Sequence, residues 1–132
     1  MTEGWQNEDY FVLFDKKESA DLTVRYELHN YLTGYKIVGI RGWDDFILEW
    51  SDGKLFTVPT VPLDPKYLSP LRLVIDPGLL KKDVRLHGKI KWYTKPIIFG
   101  GDPNVGANVT WIGLENHIQL VNWWNKLYQC MK

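Results

Sequence analysis

A single cysteine, Cys130, in a chain of 132 residues leaves no pair to cross-link. The fold has to hold without a disulfide framework, and the reducing cytoplasm is the natural setting for such a chain. Excess charge of either sign is absent too: 16 Lys+Arg balance 16 Asp+Glu. That removes the basic signature of a phosphate-backbone binder, so no nucleic-acid partner is expected. Residues 1–10 contain neither the basic nor the apolar region of a signal peptide. No apolar run reaches the ~18 residues of a membrane span, so no membrane partner is expected either.

Signatures of chemistry are equally scarce. His29, His87 and His117 are scattered without ligand-like spacing, and one cysteine cannot complete the usual zinc site. The chain has no Gly-x-Ser-x-Gly elbow and no His-Glu-x-x-His helix. Gly100-Gly101-Asp102-Pro103 reads as a tight turn, because it lacks the Gly-Lys-Ser/Thr ending of a phosphate loop and the third glycine of a dinucleotide fingerprint. The expectation is a protein that is not an enzyme, with no catalytic, cofactor-binding or metal-binding residues; binding is its default occupation.

What is present is globular material. Hydrophobic residues make up 45% and charged residues 24%, which excludes a disordered chain, and the length suits one domain over 1–132. Aromatic residues reach 14%, seven of them Trp. Such side chains fill cores and also anchor binding surfaces. The balanced charge hides an asymmetry: residues 1–70 carry 12 acidic against 7 basic side chains, and 71–132 carry 4 against 9. The two halves either attract each other within the fold or present an acidic surface to a basic partner.

The pattern is organised around 35–62, where strand-like runs near 35–41, 45–50 and 54–59 flank Asp52-Gly53, the signal of a type I′ hairpin. Gly39 and Gly42 point to a bulge or close approach in the first run. Pro59, Pro62, Pro65 and Pro70 end the sheet by about position 59 and begin a rigid connection. Before this centre, 10–14 reads as a strand. The spacing of Ala20, Val24, Leu28, Tyr31 and Leu32 predicts a helix over 19–32, capped by Ser19 and Gly34. After it, Leu71, Leu73 and Ile75 alternate briefly. Val84, Leu86, Ile90 and Trp92 then alternate with Arg85, His87, Lys89 and Lys91, which predicts a half-buried strand over 84–93 with a basic outer face. A short strand at 108–112 and a helix at 114–130 complete the chain. That helix is apolar over more than half its circumference, so it is either sandwiched or offers Trp123 and Trp124 to a partner. The expected fold is α+β: a mainly antiparallel sheet with an N-terminal and a C-terminal helix packed on it.

Trp43-Asp44-Asp45 stands at the start of the second central strand. Neighbouring strand side chains point to opposite faces, which makes a catalytic carboxylate dyad geometrically poor; turn capping or a partner contact suits the pair better.

Gly-Trp-Asp-Asp-Phe at 42–46, Phe-Thr-Val-Pro-Thr-Val-Pro at 56–62, Phe-Gly-Gly-Asp-Pro at 99–103, Asn108 and Leu-Val-Asn-Trp-Trp-Asn at 120–125 form a combination that resembles the SUKH-like bacterial proteins. The resemblance covers roughly 25–128. Members of that superfamily commonly serve as immunity proteins against polymorphic and contact-dependent toxins, so it implies stoichiometric binding of a cognate toxin with a basic surface in the cytoplasm of the producing cell. With that implication, the partner-binding residues are placed on Trp43, Asp44, Asp45, Glu49 and Asp52, around the hairpin. Two other readings compete: a small-molecule binder or hydrolase with a pocket near His87, Asp102 and His117, and a phage or mobile-element inhibitor of a host enzyme. Oligomeric state is not legible.

Overall fold

The computed structural model describes residues 1–104 and 106–132. Six strands form an antiparallel meander in which every strand pairs with its neighbour in sequence: β1 (Thr2–Gln6), β2 (Asp9–Leu13), β3 (Lys36–Arg41), β4 (Asp45–Glu49), β5 (Leu55–Pro59) and the two-residue β6 (Ser69–Pro70). A separate antiparallel hairpin joins β7 (Ile90–Tyr93) to β8 (Val109–Ile112). Helices α1 (Lys16–Arg25) and α2 (Leu114–Met131) complete the α+β architecture expected from the pattern. Among the described residues no helix is long and apolar enough to cross a membrane.

Alternation decides which side of the sheet is core. Tyr10 and Val12 of β2, Ile37 and Ile40 of β3, Phe46 and Leu48 of β4 and Val58 of β5 join Leu22 of α1, Tyr26 at its C-terminal cap and Ile118 and Val121 of α2 in one buried cluster. Phe11 and Ile47 are just as buried yet stand outside that cluster. Ile47 points to the opposite face, where it borders a depression shared with Ile75 and Pro77 of the segment after β6. That segment is stitched to β1 by reciprocal backbone bonds between Trp5 and Lys81, at 2.8 and 3.0 Å. Gly4 makes the crossing possible, since a Cβ there would stand 2.8 Å from the Lys81 carbonyl carbon.

Several local expectations change in physical detail. The Asp52-Gly53 hairpin is a three-residue loop: the Trp50 amide donates to the Lys54 carbonyl at 3.0 Å, and only Gly53, not Asp52, has positive φ. Its geometry is thus the glycine-bulge form and not type I′. The bulge expected in the first central strand lies between Ile37 and Gly39. β1 was not expected at all. Helix α1 begins at Lys16 because Asp15, not Ser19, caps it: Asp15 accepts the Glu18 amide while Glu18 returns the bond to the Asp15 amide. The helix stops early because Glu27 turns left-handed, at φ 56°, which resets the phase. Ala20 and Val24 consequently face solvent, and the buried face is Ser19, Leu22 and Tyr26.

The strand expected over 84–93 survives only at 90–93. Asp83 accepts the Arg85 amide at 3.1 Å and winds 84–86 into a 3₁₀ turn, leaving Val84 81% exposed. The run at 71–75 is likewise not a strand. Ion pairs Glu27–Lys126 (3.6 Å) and Asp64–Lys132 (3.2 Å) tie the acidic half of the sequence to the basic half, the intramolecular use of the charge asymmetry, and a hydrogen bond joins Glu3 to His87.

Candidate binding cleft

Where β3 turns into β4 the backbone passes through two successive left-handed residues, Gly42 at φ 56° and Trp43 at φ 62°. A bulky side chain in that region is costly and needs surrounding structure to hold it. Here the indole is held on three sides: it stacks on Tyr10 with ring centroids 5.3 Å apart and meets Trp5 and Trp111 edge-on at 5.9 and 5.1 Å. The rest of the turn is thereby fixed at the mouth of a cleft of about 460 Å³, within the size range of ordinary ligand sites.

Asp44 and Asp45 both border this cleft. Asp44 belongs to the turn, since β4 begins only at Asp45, and the charges beside the two carboxyls differ: Lys91 at Asp44, Arg41 and Asp9 at Asp45. Both carboxyls are held above their ordinary value of 3.8, first by desolvation. Lys91 opposes the shift at Asp44 and Asp45 adds to it; Arg41, itself paired with Asp9 at 3.0 Å, opposes the shift at Asp45. A cation brought into the cleft would favour the ionised form of both.

The opposite wall is the proline segment 59–62, and α2 positions it. Asn125, 1% exposed, accepts the Leu63 amide at 2.8 Å and donates to the Thr60 carbonyl at 2.9 Å. One turn later the Tyr128 hydroxyl donates to Asp64 at 2.8 Å, and Lys132 pairs with the same carboxylate. The remaining boundary comes from β7 and from Pro96, Ile97 and Ile98, where the two isoleucines are 52% and 43% exposed. An apolar lining with two carboxylates at one side can hold a group that is apolar along its length and cationic at one end.

Of the five residues expected to form one surface, the structure brings three together. Glu49 stands at the far end of β4, ~13 Å along the strand from Asp45 at the usual rise, and borders the depression on the other face with Leu13 and Val38. Asp52 lies in the hairpin loop, accepting the Lys54 amide at 2.9 Å. The boundary residues Tyr67, Lys91, Tyr93, Ile97 and Ile98 were not singled out as a site, since they come from segments far apart in sequence. The adjacent isoleucines after Pro96 were the readable hint.

Among the described residues His87, Asp102 and His117 share no hydrogen bond, and each has a partner of its own. His87 pairs with Glu3, and Asp102 accepts the Asn104 amide at 2.8 Å within its own turn. His117 is fully buried, with Nδ1 2.7 Å from the Tyr26 hydroxyl, and burial pushes its pKa down to about 3. Cys130 is exposed and unpaired. Among the described residues, no three His, Cys, Asp or Glu side chains gather as a metal site. No family model, no curated protein and no solved structure matches the chain.

Proposed function

We propose that this is a binding protein, not an enzyme, and that the cleft beside Trp43, Asp44 and Asp45 receives part of a partner protein. The observation that carries this reading is the placing of two carboxylates, a rigidly stacked indole and two exposed isoleucines around one cavity. Complementary charge speeds encounter, and anchored aromatic and aliphatic surface slows release. Combined with the resemblance to SUKH-like proteins, the reading becomes an immunity protein that neutralises a cognate toxin in the cytoplasm by occupying its active site or substrate surface. Glu49 and Asp52 take no part in this cleft, so the interface is centred on the β3–β4 turn and not on the hairpin tip.

Co-purification of the tagged chain from the cells that make it tests the proposal. The expected result is a stoichiometric partner with a toxin domain whose growth arrest is relieved by the wild-type chain and not by Asp44→Lys/Asp45→Lys. Full protection by that variant, with its fold intact by circular dichroism, would move the interface elsewhere. A cavity of this volume also suits a small ligand. A metabolite that raises the melting temperature, in the absence of any protein partner, would replace the reading with that one.

A further inference from the structure

Strand β7 gives the same cleft a second property. In an antiparallel pair, residues alternate between those that exchange backbone hydrogen bonds with the partner strand and those whose N–H and C=O point away from it. The Thr94 amide donates to the Asn108 carbonyl at 2.8 Å, and the register continues as Trp92 opposite Thr110 and Ile90 opposite Ile112. The bonded positions of β7 are therefore 90, 92 and 94. Lys91 and Tyr93 aim their amides and carbonyls away from β8, and among the described residues no other strand, turn or side chain takes them up.

That open edge looks into the cleft. Lys91, Trp92 and Tyr93 all border it, yet successive side chains of a strand leave on opposite faces. Three in a row can line one cavity only where the strand turns its edge toward it. The Trp92 ring packs inward on His117 at 5.4 Å, and the Lys91 ammonium folds over the Tyr93 ring at 5.1 Å, so the edge itself is not covered by its own side chains. Across the gap stand Pro59 and Pro62, and Pro96 follows β7 on its own side; none has an amide to offer a guest. An unpaired edge is ordinarily shielded against association; this one is recessed between proline walls, which admit a single extended chain more readily than the flat edge of another sheet.

We propose that the partner segment held in the cleft is an extended strand that adds to β7, exchanging backbone hydrogen bonds with Lys91 and Tyr93 while a lysine or arginine of the segment meets Asp44 and Asp45. The proposal rests on the reading of the cleft as the partner site and specifies its mode: strand addition, in which backbone bonds provide affinity and alternate side chains provide selectivity. It excludes a partner helix, whose backbone donors and acceptors are already used.

Amide exchange measured residue by residue on the full chain tests it, with peptides selected from a library of linear sequences of about seven residues, close to the usual length of a strand. In the free protein the Trp92 amide should exchange slowly and those of Lys91 and Tyr93 fast. With a selected peptide bound, Lys91 and Tyr93 should slow by about tenfold or more while Trp92 is unchanged. Methylating the peptide's amides one at a time should weaken binding by about tenfold at alternate positions only, the scale of one lost hydrogen bond. A peptide that binds, is weakened by Asp44→Asn/Asp45→Asn, and leaves Lys91 and Tyr93 unprotected would overturn strand addition and leave capture at the cleft standing. A library that yields no binder dependent on those carboxylates would overturn both.

Discussion

The stretch from β1 to β5 and the stretch from Leu63 to Asn108 differ in how far they rely on strand ladders, the second having only β6 and β7. In the first, strand ladders pair amides with carbonyls that are distant in sequence but regular in register. In the second, aspartates do much of the work locally: Asp64, Asp76, Asp83 and Asp102 each accept the amide two residues on, at 2.8 to 3.1 Å, and three of them are followed by proline. Such turns need no neighbour strand. They let the chain cross the surface without a ladder, and they leave its shape dependent on a few tethers to the body. The cleft lies where the two regimes meet, with Trp43, Asp44 and Asp45 from the first and Tyr67, 91–93 and 96–98 from the second.

If the body depends on packing, Phe46→Ala should be the most damaging change. Phe46 is fully buried against Tyr26, with ring centroids 4.8 Å apart, and truncation of such a ring costs about 3–5 kcal/mol; denaturant unfolding measures it. Acid should separate the regions next. His117 stays neutral in the folded chain down to about pH 3, whereas in the unfolded chain it takes up a proton near its ordinary 6.5. The unfolded state binds the extra proton, so body stability should fall as pH drops from about 6.5 to about 3. Tyr26→Phe/His117→Leu removes both members of the pair, and a flattened slope in that window is the expected readout.

At the joint between the regions, Asn125→Ala strands the Leu63 amide and the Thr60 carbonyl in a buried site, at a cost of about 1–3 kcal/mol. Faster exchange of the Leu63 amide, with the amides of β2 and β3 unchanged, would show the proline wall released from an intact body. Within the turn region, the Arg85 guanidinium beside Asp83 holds that carboxyl down at about 2. Its contribution is present above the ordinary 3.8 and lost as pH falls toward 2, a lower window than that of His117. Asp83→Asn should abolish this late acid step and little else. The smallest effect belongs to the cleft: because Asp44 and Asp45 are held above 3.8, their ionisation opposes folding at neutral pH. Asparagine at either position should raise the melting temperature slightly at neutral pH, with the gain vanishing below the ordinary carboxylate range. A drop in melting temperature would show that these carboxylates are already paired.

The same division explains what could be read from the residues. The β3–β5 meander was legible because Phe46, Leu48 and Val58 alternate cleanly and Pro59 ends the sheet. The N-terminal strand was hidden: Thr2, Glu3 and Gln6 give it no apolar phase, and its core-side hold comes through Gly4 and Trp5 meeting the 80–81 backbone, a contact between remote segments. The stripe of Val24 and Leu28 misled because one left-handed residue, Glu27, breaks the periodicity that joined them. The basic strand was overextended because an aspartate at 83 can turn the chain where hydrophobic alternation alone predicts extension. For the cleft, Trp43, Asp44 and Asp45 were visible as a motif, but β7, Tyr67 and 96–98 become neighbours only after folding, and no spacing rule connects them.

The indole stack at the mouth of the cleft also makes the protein its own optical reporter. Trp5, Tyr10 and Trp43 have ring centroids 5.2 to 5.9 Å apart, and Trp111 lies 5.1 Å from Trp43, in a fixed, chiral arrangement. Rings that close couple their electronic transitions, so near-ultraviolet dichroism from this cluster responds to any shift of Trp43. Arrival of a guest beside Asp44 can thus be followed on the unlabelled chain, without attaching a dye to the surface under study.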